Sequence, residues 1–134
     1  MNTLKIEATS TTPEISFDVD NNTLTLFKVS KPENAFSFYE PLFEFIKIYE
    51  SESIKSSDSK MLVIDFKYEY FNTATVKIIY DFLERLKKLV ENGIEIKINW
   101  YYHPDDEDML EDGQIMSDAT GVPFNFIATD DIKF

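Results

Sequence analysis

Two threonines stand where chemistry on a hydroxyl group is easiest to arrange. Between Phe66 and Leu89 an apolar strand pattern runs into Tyr70-Phe71-Asn72-Thr73-Ala74-Thr75, and a long amphipathic helix begins at once. The first backbone N–H groups of a helix have no partner within it, and its summed peptide dipoles are positive at that end. A phosphate on Thr73 or Thr75 would therefore sit in a favourable field beside free donors. The same residues also allow a plain role, because Asn and Thr are favoured at helix N-caps.

Other reactive residue types are sparse. The chain has no cysteine, which rules out disulfides, thiolate zinc sites and thiol nucleophiles, and its one histidine, His103, leaves little room for histidine-based metal or triad chemistry. With three glycines it shows neither a Gly-rich phosphate loop nor a nucleophile elbow. Asp65 and Glu69 are a carboxylate pair of a kind found in almost any protein. Asp105 to Asp112 offers oxygen ligands that suit magnesium or calcium, but it lacks the alternating spacing and central glycine of an EF-hand loop. A solvated acidic first turn of a helix is the better reading. No cofactor is implied. Lys and Arg number 13 against 25 Asp and Glu, a net charge of -12, which disfavours nucleic acid because phosphate backbones are bound by cations. Proteins are the expected partners.

The elements that must position these groups can be read from periodicity. At 134 residues, with 43% hydrophobic and 15% aromatic content, residues 1–134 read as one domain with a single core. No window reaches the roughly 18 to 20 apolar residues of a membrane span. Met1-Asn2-Thr3-Leu4-Lys5 lacks the layout of a signal peptide, so a cytoplasmic address without membrane insertion is expected. Glu14 to Val19 and Thr23 to Val29 alternate around the turn cluster Asp20-Asn21-Asn22, a β-hairpin, with Lys5 to Thr9 as a short edge strand before it. Asn34 offers an N-cap to a helix through about Glu50, carrying Phe38, Leu42, Phe45, Ile46 and Tyr49. Pro41 either starts the main helix or kinks it. Ser51 to Lys60 reads as a Ser-rich loop.

Met61 to Phe66 is nearly continuous in apolar residues, which suits a central strand buried on both faces. Thr73 to Asn92 places Val76, Ile79, Leu83, Leu86 and Val90 on one stripe closed by Asn92-Gly93. Ile94 to Tyr102 alternates with Ile94, Ile96, Ile98 and Trp100 on one side, leaving the other side solvated or covered by a partner. Trp100 and Tyr102 share the core side, and Tyr101 faces the other way as a contact candidate. Asp105 to Asp118 reads as an acidic amphipathic helix and Phe124 to Ala128 as a last strand. The order predicts an α/β sandwich whose mixed sheet joins an antiparallel N-terminal hairpin to right-handed βαβ crossovers.

Five blocks in this order resemble those of the SiaC family of bacterial regulatory phosphoproteins: Ser30-Lys31-Pro32-Glu33-Asn34, Phe38-Tyr39-Glu40-Pro41-Leu42, Tyr70-Phe71-Asn72-Thr73, Trp100-Tyr101-Tyr102 and Asp105 through Glu111. The resemblance spans about Ile15 to Phe126 and implies a STAS-like fold of the anti-sigma factor antagonist type. It implies a non-catalytic partner-switching protein, phosphorylated by a GHKL-type serine/threonine kinase and dephosphorylated by a PP2C-type phosphatase. Its unphosphorylated form would bind an output protein such as a diguanylate cyclase. The family's acceptor follows the asparagine of an Asn-Thr-Ser-Ser block and so falls on Thr73. Ala74-Thr75 replace the two serines here, which leaves Thr73 untouched, alters what kinase and target would meet, and keeps Thr75 as a secondary candidate.

A phosphothreonine carries about -1.5 to -2 charges, which the helix start tolerates but a partner interface lacking Arg or Lys would not. Phosphorylation is thus expected to turn binding off. The partner-binding set expected around Thr73 is Tyr70, Phe71, Asn72, Thr75 and Lys77, with Asn34, Tyr101 and Asp106 from the neighbouring blocks. Asn34 also reads as a helix cap, and the acidic segment around Asp106 as a docking surface for basic residues. The competing reading is a small-ligand or nucleotide-binding α/β module.

Overall fold

Three successive parallel strands of this protein end at the same edge of one sheet, and each hands over there to a helix capped by an Asn or Asp. A computed structural model describes residues 3–56 and 60–130. A short strand β1 (Lys5–Ile6) pairs antiparallel with β2 (Glu14–Asp18), which pairs antiparallel with β3 (Thr23–Ser30). The hairpin turn is closed by Asp18, whose carboxylate accepts hydrogen bonds from the Asp20 and Asn21 backbones and from Asn21 Nδ2 at 2.6 Å. Asn22 takes a positive φ of 52°, which asparagine tolerates. Its buried amide donates to Tyr49 Oη and to the Met61 carbonyl, fixing the hairpin to elements far along the chain.

From β3 onward the chain repeats one move. Helix α1 (Ala35–Lys55) leads to β4 (Leu62–Phe71), α2 (Thr73–Glu91) to β5 (Ile96–Tyr102), and α3 (Glu107–Thr120) to β6 (Asn125–Ala128), all four strands parallel. Strand order across the sheet equals sequence order. Right-handed crossovers that always step in the same direction put every helix on one face. Burial agrees: Leu24, Leu26, Leu62, Ile64, Phe66, Tyr68, Ile98 and Trp100 are buried, while Thr25, Phe27, Val63, Asp65, Lys67 and Tyr101 are half-buried on the other face.

This layout corrects several expectations. Strand β4 is central but is covered on one face only, because no helix crosses behind it. On the uncovered face Asp65 accepts from Asn99 Nδ2 at 2.9 Å, and Asn125 Nδ2 donates to Asn99 Oδ1. Helix α1 starts ahead of Pro41 and continues through it to Lys55. The carbonyl that Pro41 leaves without a donor belongs to Ser37, and both residues are exposed. Ser51 to Lys55 is therefore helical, and residues 57–59 of the expected loop lie outside the described residues. On α2 the buried stripe is Ile78, Ile79, Phe82, Leu83, Leu86 and Leu89, whereas Val90 is 54% exposed.

The core is rich in stacked rings. Trp100 lies 5.5 Å from Phe124 at an interplanar angle of 14°, and Phe66 and Phe71 pack on its other sides. Trp100 Nε1 donates to the Met109 carbonyl of α3 at 2.9 Å. Among the described residues no helix is long and apolar enough to cross a membrane.

Candidate functional site

The alternation of burial along β4 breaks at one place, and the break shapes the site. Lys28 of β3 pairs with Tyr68 and Val29 with Tyr70, so Glu69 is an extra residue in β4, opposite Lys28 at a φ of 86°. A bulge of this kind reverses which side chains face inward. Tyr68 is buried, Tyr70 is 51% exposed, and Phe71 returns to the core against Trp100. Tyr70 is thus turned to solvent. Phe71 is not: the bulge turns it inward, which corrects its expected place on the surface.

Immediately after Phe71, Asn72 caps α2. Its backbone N–H donates to the Ser30 carbonyl at 2.9 Å, and its Oδ1 accepts from the Thr75 N–H at 2.9 Å and the Thr75 hydroxyl at 2.7 Å. The two hydroxyls of the turn then have opposite fates. Thr73, the first residue of α2, is exposed; Thr75, two residues on, is fully buried, with its oxygen 2.8 Å from Ser30 Oγ and a further contact to the Ser30 carbonyl. Thr75 therefore has no free hydroxyl to modify and no surface to offer, which corrects its expected place as a contact residue and secondary acceptor. Thr73 and Ala74 keep outward N–H groups at a positive helix end.

Beneath the turn the polar contacts continue inward. Ser30 Oγ is 2.6 Å from Tyr39 Oη, and Tyr39 Oη is 2.8 Å from Tyr68 Oη. Burial pushes the Tyr39 hydroxyl up to about 12 and that of Tyr68 well above the usual tyrosine range. Both are neutral and available as hydrogen-bonding groups at any physiological pH. Ser30, Tyr39 and Tyr68 were not among the residues expected at the site. The signal was present in phase: Ser30 and Tyr68 extend the inward-facing sets Leu24, Leu26 and Leu62, Ile64, Phe66, and a hydroxyl in such a position needs a buried partner.

The other candidates are distributed around the same sheet edge. Asn34 caps α1, its Oδ1 accepting from the Ser37 N–H at 3.1 Å, and Asp106 caps α3 by accepting from the Met109 N–H at 3.0 Å. Lys77 stands one turn beyond Thr73 and pairs with Asp81 at 3.3 Å. Tyr101 is on the uncovered face of the sheet, with Lys67 Nζ 4.8 Å from its ring centre. Glu69, His103, Asp105 and Asp106 line a shallow cleft of about 340 Å³ with Tyr68 at its base. The structure thus joins Tyr70, Asn72 and Thr73 at one turn, leaves Asn34 and Asp106 at neighbouring helix starts, and places Tyr101 on another face. Phe36 in the first turn of α1 was not expected here; it is 76% exposed.

A second concavity, of about 740 Å³, lies at the opposite end of the molecule between Leu86, Val90, Ile94, Ile96, Ile98 and Val122. Its walls are mostly aliphatic, with Lys87, Glu91 and Glu95 also lining it, and it sits beyond the starts of the parallel strands. Nucleotides in open α/β sheets bind outside the strand ends that carry the carboxyl termini, so this groove does not favour the nucleotide-binding reading.

Comparison with known proteins agrees with this architecture. A protein of Pseudomonas aeruginosa (strain UCBPP-PA14), described as uncharacterized, is 24% identical over 131 residues, covering 98% of this chain and 100% of its own. The crystal structure of apo-SiaC from Pseudomonas aeruginosa superposes with a TM-score of 0.81 at 23% identity, covering 96% of this chain and 100% of that one. SiaC in the crystal structure of the diguanylate cyclase SiaD in complex with its activator SiaC superposes with a TM-score of 0.82 at 23% identity, covering 94% and 99%. At such identities the structures establish the common fold. The family model described as SiaC family regulatory phosphoprotein matches residues 6–129, nearly the whole sheet and all three helices, and the chain belongs to that family.

Proposed function

We propose that this protein is a non-catalytic, cytoplasmic partner switch whose phospho-acceptor is Thr73. The observation that carries the reading is the contrast within one turn of α2: the Thr73 hydroxyl is exposed at the helix start, and the Thr75 hydroxyl is fully buried and hydrogen-bonded. A kinase has one hydroxyl to reach there. A phosphate at that position meets the outward N–H groups and the positive helix end, worth roughly 0.3–1 kcal/mol, so the fold accommodates it.

A GHKL-type serine/threonine kinase writes the mark and a PP2C-type phosphatase removes it. The unmodified protein docks its target through the edge formed by Phe36, Asn34, Tyr70, Asn72, Thr73 and Lys77, with Asp106 and Tyr101 at the margins. Exposed aromatic side chains at a rigid edge suit this task, since such groups dominate interface energies. SiaC of Pseudomonas aeruginosa activates the diguanylate cyclase SiaD, which supports a diguanylate cyclase as the output partner here. Added charge of about -1.5 to -2 beside Tyr70 opposes burial of the edge and releases the target.

The experiment is intact-mass analysis with site mapping on protein recovered from its native cells, followed by partner capture with each form. A single phosphate on Thr73, absent in Thr73→Ala, with target bound by the unmodified form alone, is the expected result. No phosphate under several growth conditions and none after exposure to the cognate kinase would overturn the reading.

A further inference from the structure

Tyr68 of β4, Tyr39 of α1, Ser30 of β3 and Thr75 of α2 join four elements through consecutive hydroxyl contacts of 2.8, 2.6 and 2.8 Å, and the chain ends on Asn72 Oδ1 at 2.7 Å. Relative exposure is 2% at Tyr68 and 0% at the other three, so these bonds lie inside the protein. The chain has one direction. Asn72 Oδ1 and the Ser30 carbonyl can only accept, so the single Thr75 proton is given to one of them, Asn72 Oδ1 at 2.7 Å being nearer than the carbonyl at 3.2 Å. Ser30 must then donate to Thr75, Tyr39 to Ser30, and Tyr68 to Tyr39. Every hydroxyl in the middle gives one bond and receives one, an arrangement in which each bond polarises the next.

We propose that Tyr39, Ser30 and Thr75 are positioning residues for the acceptor turn: their directed hydroxyl chain holds the Asn72 carbonyl oxygen inward and so sets the place of Thr73. This inference rests on the reading of Thr73 as acceptor and adds which buried residues make it reachable. The direction ranks the chain's members. Loss of the Tyr68 hydroxyl removes only a donor at the far end, and Tyr39 keeps its bond to Ser30. Loss of the Tyr39 hydroxyl strands the Tyr68 proton and deprives Ser30 of its donor. Replacement of Thr75 by valine strands the Ser30 proton and frees one side of Asn72.

The test measures phosphorylation kinetics at Thr73 with the cognate kinase and ATP, beside backbone amide exchange in the same variants. Thr75→Val is expected to lower kcat/KM at least roughly tenfold, since small misplacement of a reacting group is costly. The loss should fall on kcat more than on KM, because Phe36, Tyr70 and Lys77 of the docking edge are unchanged. Thr75→Ser, which keeps the hydroxyl, should restore the rate, and Tyr39→Phe should slow transfer more than Tyr68→Phe. In parallel, Thr75→Val and Tyr39→Phe should speed exchange of the Thr75 and Val76 amides while Leu83 and Leu86 stay protected. Equal kinetics in Thr75→Val and the unaltered protein overturn the inference, as does a rank with Tyr68→Phe below Tyr39→Phe. If the unaltered protein accepts no phosphate, the acceptor reading fails by itself. Amide exchange then still decides the chain's role, and protection unchanged or lost uniformly along α2 overturns it.

Discussion

Gly113 meets Trp100 so closely that a Cβ added to the glycine would stand 2.6 Å from Nε1 of the indole. The same ring donates to the Met109 carbonyl one turn earlier in α3. An acidic helix with few buried anchors, Met109 and Met116 among them, is thus docked by direct approach of its backbone to an aromatic plane.

Alanine at position 113 should therefore destabilise the protein, although alanine ordinarily favours a helix over glycine by about 0.5–1 kcal/mol. Overpacking against a ring with no room to retreat costs about 1–3 kcal/mol, which outweighs that gain. Chemical denaturation followed by tryptophan fluorescence measures it; a rise in stability would show that α3 can slide off the ring.

The buried tyrosines predict an alkaline limit. Tyr39 ionises near 10 when unfolded and at about 12 when folded, so the unfolded chain loses its proton first. The Tyr39 contribution is complete below pH 10 and is lost as pH rises through about 12, in total roughly 3 kcal/mol at about 1.4 kcal/mol per unit. Melting temperatures should fall steeply over that range, and Tyr39→Phe should flatten the fall. A slope unchanged by the substitution would show that the hydroxyl reaches water.

Glu50 is largely buried and accepts from Arg85 at 2.8 Å and from Asn92 Nδ2 at 2.8 Å. Arg85→Ala leaves that carboxylate with only the amide for a partner, and stability should drop by about 1–3 kcal/mol. The double variant Arg85→Ala with Glu50→Gln should recover part of the loss in urea titrations. A double loss equal to the sum of the single ones would deny the coupling.

Phe36 at 76% exposure packs against little, so Phe36→Ala should leave folding stability within about 0.5 kcal/mol. Binding to the output partner should weaken at least about tenfold if the aromatic side chain anchors the docking edge. Titration calorimetry with the captured target separates the two effects, and unchanged affinity would remove Phe36 from the edge.

The fold was legible wherever neighbours in sequence decide the structure. The hairpin follows from alternation around Asp20-Asn21-Asn22, and the start and end of α2 follow from Asn72 and Asn92-Gly93. What failed depended on distant residues. The inward turn of Phe71 comes from a bulge whose other half is Lys28, and the burial of Thr75 comes from Ser30, 45 positions away. Strand order is not written in any single strand, so nothing in Met61 to Phe66 revealed that one of its faces would lack a helix. Ser51 to Lys55 looked like a loop by composition, yet it extends a helix already anchored by Tyr49 and Glu50. Phe36 and Phe38 are adjacent in pattern; only the set of the helix on the sheet exposes the first and half-covers the second.

Helices α1 and α2 are fastened to each other twice, near their starts through Tyr39, Ser30 and Thr75, and near their far ends through Glu50, Arg85 and Asn92. Two fasteners set well apart along a pair of rods make a stiff plate. Such a plate resists splaying and shear alike, and an impulse delivered at one corner travels as rigid motion. A protein clasped at the Thr73 corner would feel the plate as a single lever whose handle lies at the distant ends of both helices.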